Sequence, residues 1–281
     1  MRSYGYMRFS FMGRSDVRIF RRYAASLDEL EAVLFAAERM EKRFYFFEKL
    51  CLPSLQHQLD SDFRVTILAS ERMPERYKVR LAEAISNTTN IEILYAPVSS
   101  AKHAFTSTVE RNVSVDDENS IHFRLDDDDA FPNGFIEKLK SSSLGLEPDS
   151  LISLPKGYAL FSQDGVPYLA PHFLPYHARG WARVNAPGDR RTPYNFAHFG
   201  ASLRFKSVLD PRPLGYIATY HDSSDSNWHR RKGREAEMIE KAKEQMQLAD
   251  FDAYKTEVDN AFPWIGYDGL KKVIVGAPST E

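Results

Sequence analysis

Along about the first 140 positions, short continuous runs of hydrophobic residues alternate with stretches in which hydrophobic residues recur at helical spacing. Short β-branched and apolar runs predict buried strands, and amphipathic stretches between them predict helices. Alternation of strands and helices is typical of a mostly parallel sheet with crossover helices, so we expect an α/β fold with flanking helices. The predicted strands are 4–12, 63–69, 91–95 and 120–125, and the predicted helices are 30–37 (capped by Ser26), 44–58, 74–86, 103–113 and one starting at 132.

The pattern changes after residue 150. Residues 151–154 and 158–161 predict short strands around a turn, and 201–209 and 214–219 predict further strand or helix. Residues 165–200 are rich in Pro, Gly, Tyr, His and Arg with little periodicity, which predicts loops over a site. Residues 235–250 have the pattern of a charged amphipathic helix, which we expect to pack on its own domain.

Composition narrows the class of protein. The chain has 281 residues, 43% of them hydrophobic, and a formal net charge of -2, so neither a nucleic-acid footprint nor an acidic tail is present. Cys51 is the single cysteine, which excludes an internal disulfide and suits a reducing compartment. We see no membrane-spanning run and no signal-peptide pattern, and expect a cytoplasmic protein without a nucleic-acid partner. Peripheral attachment to a membrane stays an open alternative.

Four consecutive aspartates, Asp126 to Asp129, stand at the carboxyl end of the predicted strand 120–125. In open α/β sheets, ligands bind beyond the carboxyl ends of the strands. Clustered carboxylates repel one another and are the hard oxygen ligands that Mg²⁺ and Mn²⁺ prefer, so a cation would relieve the repulsion. A calcium EF-hand loop does not fit, because Phe131 stands where its glycine is required when the count starts at Asp126.

The run RLDDDDAFPNGF at 124–135 resembles the aspartate motif of glycosyltransferases of the GT-A fold. The stretch RFYFFEKLCLPSLQHQLDSDFRVTILAS at 43–70 and the opening Met7-Arg8-Phe9-Ser10 extend the likeness. Together these segments resemble the putative rhamnosyltransferase family of bacteria over about the first 140 residues. One departure is Ser70-Glu71, which stands where many GT-A enzymes carry an acidic pair.

The resemblance implies a metal-dependent glycosyltransferase with a Rossmann-like, nucleotide-sugar-binding fold. Its donor would be a nucleotide-diphosphate sugar, with rhamnose suggested by the family, and its acceptor a glycan, a lipid-linked glycan or another hydroxyl. Mn²⁺ or Mg²⁺ would be the cofactor. The GT-A domain would cover 1–230, with a helical extension at 231–281 packed on it. The expected metal ligands are Asp126, Asp128 and His221, and the expected donor-binding residues are Arg8, Arg124, Asp126 and Asp127.

Several positions have alternatives. His198 competes with His221 as the late metal ligand. Asp222 is the expected general base, and Asp225 and Asp189 are alternatives that sequence spacing does not separate from it. Two other functions stay open. One is a nucleotidyltransferase, which a glycine-rich phosphate-binding loop would favour, whereas residues 7–14 contain a single glycine; the other is a non-catalytic carbohydrate-binding protein of the same fold.

Further candidates lie in the segment after residue 165. The arginines that could hold a diphosphate or an anionic acceptor are Arg179, Arg183, Arg190 and Arg191, and the aromatic residues that could stack on a sugar are Tyr176, Trp181 and Tyr194.

Overall fold

The computed structural model describes residues 1–13, 26–115, 118–196, 198–221 and 251–278, together with Glu240 and Glu244. Asp222, Asp225 and nearly all of the predicted helix 235–250 lie outside these residues, as does the side chain of His198. The strands are β1 Ser3–Arg8, β2 Phe63–Ser70, β3 Ile91–Ala96, β4 Ser120–Arg124, β5 Leu151–Ser153, β6 Lys156–Gln163, β7 Val166–Phe173, β8 Trp181–Asn185, β9 Ser207–Leu209 and β10 Tyr216–Tyr220.

A seven-stranded sheet with the order β3-β2-β1-β4-β8-β5-β9 forms the centre of the fold. The pairs β1–β2, β1–β4, β2–β3 and β5–β9 are parallel, whereas β8 runs antiparallel to both of its neighbours. The predicted α/β fold with a mostly parallel sheet is therefore confirmed. The first strand is shorter than expected, because the chain leaves the ladder after Arg8 and Ser10 adopts a left-handed conformation with φ 47°.

The interpretation of residues 165–200 as loops is wrong, because this segment supplies β7 and β8. All five residues of β8 are buried, including Arg183 and Asn185. Those two polar residues interrupt the apolar pattern that identifies a buried strand in sequence. They are tolerated because Arg183 donates a hydrogen bond to Asn185 and pairs with Asp189.

Helices flank the sheet. The largest core cluster includes residues of both the strands and the helices, and Phe9, Phe44 and Phe47 are fully buried in it. The predicted helix 44–58 begins earlier, at Ala37, and a π-helical segment precedes the turn that contains Pro53. The helices are α1 Leu27–Leu34, α2 Ala37–Phe46, the π-helix Phe47–Cys51, α3 Leu52–Gln56, α4 Glu75–Ile85, α5 Ala101–Ala104, α6 Thr106–Asn112, α7 Phe135–Ser142, the 3-10 helix Pro193–Asn195, α8 His198–Ala201, α9 Phe251–Ala261 and α10 Gly266–Val275.

A second, three-stranded sheet has the order β10-β6-β7. One of its faces packs against α9 and α10 through a cluster that includes Tyr158, Leu160 and Leu169. Ala130, which directly follows the four aspartates, forms an antiparallel bridge with Ile217 of β10. The aspartate loop is therefore fixed between the two sheets. None of the helices among the described residues has the length and apolarity that crossing a membrane requires.

Candidate functional site

The aspartate loop begins where β4 ends and lies at the carboxyl end of the central parallel strands. Two hydrogen bonds between Ala130 and Ile217, of 3.0 and 2.8 Å, close its far end. The Asp129 amide donates to the Asp126 carbonyl at 3.3 Å, so the loop turns within four residues. A turn of this kind directs successive side chains in different directions, which separates the four carboxylates.

Each aspartate has a different partner, and this arrangement explains how four carboxyl groups fit into one loop. Three of the partners are guanidinium groups and one is an imidazole. In chain order, Asp126 pairs with Arg124, Asp127 with Arg43, Asp128 with His221, and Asp129 with Arg179. The partners come from β4, α2, the residue after β10 and the β7–β8 connection, so the cluster exists only in the folded chain.

Asp126 lies near two arginines, Arg124 and Arg179. Arg124 donates to its Oδ1 at 2.7 Å, and Arg179 Nη2 lies 4.0 Å from its Oδ2. Burial alone would raise the pKa of Asp126, but Arg124, Arg179 and Arg8 outweigh it and hold that pKa well below its usual range. Asp126 is therefore ionised at neutral pH.

Asp127 forms a buried ion pair with Arg43 of α2. Nη1 of Arg43 lies 2.5 and 2.6 Å from the two carboxylate oxygens, and both side chains are 4% exposed. This pair links the first long helix to the aspartate loop. Asp127 was expected to contact the donor, and the structure places it against a protein cation in the interior.

Asp128 pairs with His221, the residue that follows β10. His221 Nε2 lies 3.1 Å from Asp128 Oδ2, and the imidazole stacks on Phe46 with ring centroids 4.4 Å apart. Neighbouring ligands of an octahedral ion with bonds of about 2.1 Å stand about 3 Å apart, so both atoms fit one cation. Among the described residues, no group of three or more His, Cys, Asp and Glu side chains is placed to hold a metal. Magnesium-type sites commonly use one or two carboxylates plus substrate phosphates, so the donor set fits such an ion.

Asp129 is the most deeply buried member of the cluster. Arg179 Nε donates to its Oδ2 at 2.5 Å, and the Thr219 amide donates to its Oδ1 at 2.9 Å. Burial raises the pKa of Asp129 well above its usual value, Arg179 opposes that rise, and the neighbouring Asp128 and Asp126 add to it. Asp129 thus positions Arg179 and the end of β10, and solvent does not reach it.

Arg8 and Arg124 meet around one aromatic ring at the end of the central strands. Arg124 lies 4.6 Å and Arg8 5.7 Å from the centroid of the Tyr194 ring, which also stacks on Phe105. Tyr194 therefore lies between Phe105 and the two arginines, and its stacking on a sugar stays a prediction. Two expected donor contacts, Arg8 and Arg124, lie on the same side of the aspartate loop.

Other sequence candidates lie in separate interactions. Asp189 pairs with Arg183 and Arg191; burial opposes ionisation, but hydrogen bonds with those partners hold the pKa of Asp189 down to about 2. Arg190 pairs with Glu110 on the surface. Trp181 is buried in the core, and the Tyr176 hydroxyl bonds to Ser207. Of the four arginines proposed for the diphosphate, the structure brings Arg179 to the aspartates.

The matching family model is described as "Putative rhamnosyl transferase" and covers residues 2–233. The chain belongs to this family. The family is one of glycosyltransferases, and the match extends well beyond the first 140 residues that carry the sequence resemblance. The matched residues include the four aspartates and all of their partners, from Arg43 to His221.

Solved structures of glycosyltransferases show limited likeness. TarS 1-349 of S. aureus in complex with UDP has 12% identity and a TM-score of 0.42, covering 78% of this chain and 61% of that one. The mannosyltransferase PcManGT from Pyrobaculum calidifontis in complex with GDP-Man and Mn²⁺ has 10% identity and a TM-score of 0.44, covering 98% and 68%. The chain thus spans less than two thirds of the length of TarS 1-349. A comparison with curated proteins gives no match.

Within this rhamnosyl transferase family member, sequence reasoning missed Arg43, Thr219 and Phe46. Arg43 begins the stretch that carries the family resemblance, but nothing in its neighbourhood points to an aspartate 84 positions away. Thr219 donates from Oγ1 to the Asp128 carbonyl at 2.7 Å. A polar residue at the end of an apolar run, immediately before Tyr220-His221, was the available signal for Thr219.

Proposed function

We propose that the chain is a metal-dependent glycosyltransferase that takes a sugar from a nucleotide-diphosphate donor. The observation that carries the proposal is the Asp128–His221 pair, 3.1 Å apart, at the carboxyl end of a parallel sheet. The cation is Mn²⁺ or Mg²⁺, with Asp128 and His221 as its protein ligands and Asp126 close by. Held by these residues, such a cation would supply positive charge to the nucleoside diphosphate as it leaves.

The remaining residues have separate tasks in the proposed mechanism. Arg8 and Arg124, arranged around Tyr194, contact the donor, and ionised Asp126 keeps Arg124 in place. Asp127 acts through Arg43 by fixing the loop on α2, so its contribution is positioning. We propose Asp222 as the general base that removes the proton of the acceptor hydroxyl as this attacks the anomeric carbon.

Family membership supports rhamnose as the transferred sugar. As the acceptor we propose a glycan or a lipid-linked molecule. We further propose the division into a GT-A domain at 1–230 and a helical extension at 231–281. In support, α10, which lies within that extension, packs on β6 and β7. Positioning and charge neutralisation supply most of the catalysis in this scheme, as in other transfers from phosphate-bearing donors.

Calorimetry of nucleoside diphosphate binding tests the proposal. Wild-type protein should bind UDP, GDP or dTDP about tenfold or more tightly with Mn²⁺ than with EDTA, because metal and diphosphate complete one another's coordination. Asp128→Ala should lose this difference and abolish transfer from nucleotide-linked rhamnose. The melting temperature should stay close to that of wild type, because a like charge is removed from the loop.

Asp62→Ala is the matched control, since Asp62 is an aspartate that is exposed and pairs with Lys140 away from the site. This variant should retain the full effect of Mn²⁺ on affinity. Equal affinity of the wild-type protein in Mn²⁺ and EDTA for all three nucleotides would contradict the proposed metal site. Wild-type transfer rates in Asp128→Ala would contradict the role of that residue.

A further inference from the structure

A cavity of about 250 Å³ lies at the end of the central sheet that is opposite to the aspartate loop. Its lining comes from the start of β1, the start of β2 and the turn that precedes β3. Because β1 has six residues, its two ends lie about 17 Å apart. The cavity is therefore separate from the candidate active site, which lies beyond the carboxyl ends of the parallel strands.

Two arginines of the lining, Arg2 and Arg64, project from the same face of the sheet. Arg64 of β2 is the register partner of Tyr4 of β1. Arg2 precedes Tyr4 by two positions, and its carbonyl accepts a hydrogen bond from the Ile121 amide at 2.9 Å, so Arg2 continues the line of β1. Residues two apart in a strand share a face, and so do register partners. Arg2 and Arg64 are thus diagonal neighbours, with Cβ atoms about 7–8 Å apart.

The guanidinium groups of these two arginines have no protein partner. Among the residues that the structure describes, neither group forms a hydrogen bond or an ion pair, and both side chains are exposed. The nearby carboxylates are already paired with other cations. Asp62, the acidic residue of the lining, lies 3.2 Å from Lys140, and Glu92 on β3 lies 2.6 Å from Arg111. Both guanidinium groups are therefore available to an anion in the cavity.

Asn90 adds a neutral donor to the same cavity. The register places Val65 opposite Ile91, so Asn90 lies beside Arg64 at the start of the next strand. The Asn90 carbonyl accepts a hydrogen bond from the Val65 amide at 2.8 Å, which fixes the backbone of this turn. Its side-chain amide makes no hydrogen bond within the described part of the chain, and such an amide offers two N–H donors. Donors at the starts of three neighbouring strands therefore line the cavity.

We propose that this cavity binds the phosphate group of a small soluble molecule through Arg2, Arg64 and Asn90. The planar guanidinium fork matches the oxygens of a phosphate group. A phosphate monoester has a charge of about -1.5 to -2 at neutral pH, which two guanidinium groups balance, whereas a single carboxylate would leave one of them unmatched. The cavity is smaller than the about 300 Å³ at which pockets for drug-sized ligands begin, so the ligand is small.

A phospholipid headgroup presents the same phosphate chemistry, but the lining favours a soluble ligand. A protein that binds a membrane surface buries apolar side chains at the headgroup boundary. The two aromatic residues of the lining, Tyr4 and Phe63, are instead buried in the protein core. The proposal is also independent of the proposed transferase function, because neither arginine belongs to the candidate active site.

The experiment titrates the full chain with inorganic phosphate at constant ionic strength and without Mn²⁺, and follows binding by phosphorus NMR. Wild-type protein should bind phosphate saturably. Arg64→Gln should weaken binding about tenfold or more, the effect of losing one charged hydrogen-bonding partner. Arg64→Lys keeps the charge but loses the fork, so its affinity should lie between the two. Melting temperatures in chloride buffer should be the same for all three proteins, because Arg64 is exposed.

Two further variants locate the bound phosphate. Arg204→Gln is the matched control, because Arg204 is an exposed arginine outside the cavity, and it should bind phosphate as wild type does. Arg124→Gln removes an arginine of the candidate active site and should leave binding at the cavity intact.

Three results would overturn the proposal. They are the absence of saturable phosphate binding in wild type, an equal loss in Arg64→Gln and Arg204→Gln, and a loss in Arg124→Gln that Arg64→Gln does not show. Vesicles of phosphatidylcholine with and without phosphatidic acid test the lipid source. Binding to the phosphatidic acid vesicles without any response to inorganic phosphate would overturn the soluble ligand.

Discussion

At the scale of single residues, the aspartate loop shows how neighbours in sequence acquire different roles. Asp126 is kept ionised by Arg124, whereas burial drives the pKa of Asp129 upward. Asp128 has an imidazole, that of His221, as its partner, whereas the other three aspartates pair with guanidinium groups. Four identical side chains thus differ because their surroundings differ in charge and in access to water.

His221→Ala is expected to raise the Mn²⁺ concentration for half-maximal turnover several-fold. Imidazole suits Mn²⁺ better than it suits Mg²⁺, and its removal would leave Asp128 as the main protein ligand of the proposed site. The melting temperature should fall by only a few degrees, because the stacking contact with Phe46 is also lost. Turnover as a function of Mn²⁺, with thermal unfolding in parallel, measures both effects.

His57→Ala controls for the loss of a stacked histidine, because His57 stacks on Trp264 away from the aspartates. It should leave the Mn²⁺ requirement of wild type intact. An unchanged requirement in His221→Ala would remove His221 from the metal site and leave His198 as the competing candidate.

At the scale of secondary-structure elements, the Arg43–Asp127 pair joins α2 to the loop after β4. Arg43→Met should lower the free energy of unfolding by about 3–5 kcal/mol, because it leaves a buried carboxylate without its cation. The double variant Arg43→Met, Asp127→Asn should be less destabilised than the sum of the two single variants. Urea unfolding of all three variants measures these differences.

Arg72→Met provides the comparison for an exposed pair. Arg72 pairs with Asp28 and Glu31 at the surface, where solvent screens the charges. Its loss should destabilise the protein much less than the loss of Arg43 does. If Arg43→Met proved no more destabilising than Arg72→Met, the buried pair would not hold α2 on the aspartate loop.

At the scale of the whole molecule, a buried histidine makes stability depend on pH. His122 of β4 lies between the Tyr6 hydroxyl, at 2.8 Å, and Ser120 Oγ, at 2.9 Å. Burial, followed by the charge of Arg183, lowers its pKa from 6.5 to about 3. The unfolded chain therefore binds a proton in this range that the folded chain does not, so stability decreases as pH falls from 6.5 toward 3.

His122→Gln should remove up to about 1.4 kcal/mol per pH unit of this decrease, the slope for one proton. The test compares the unfolding free energies of the variant and of wild type at several pH values between about 4 and 7. His57→Gln should leave the wild-type slope, since His57 is exposed. Parallel pH curves for wild type and His122→Gln would contradict a neutral, buried His122.

Much of the fold was predictable from local patterns. Apolar runs at 63–69, 91–95 and 120–125 gave strands, and the capping pattern at Ser26 precedes a helix whose Glu29 amide does donate to the Ser26 hydroxyl at 3.1 Å. Strand β8 was missed because two of its buried residues, Arg183 and Asn185, are polar. Hydrophobic periodicity identifies a buried strand only when its buried positions are apolar.

The sequence by itself determined the α/β class and the place of the aspartates at a strand end, because these follow from local periodicity. The divalent cation that these carboxylates suit stays a prediction from side-chain chemistry. Only the tertiary structure decided which aspartate has which partner. Arg43, Arg179 and His221 reach the loop from 84, 50 and 93 positions away. The alignment of Tyr220, Phe161 and Tyr168 across the second sheet was likewise not predictable, since it depends on the register of three strands that no local pattern specifies.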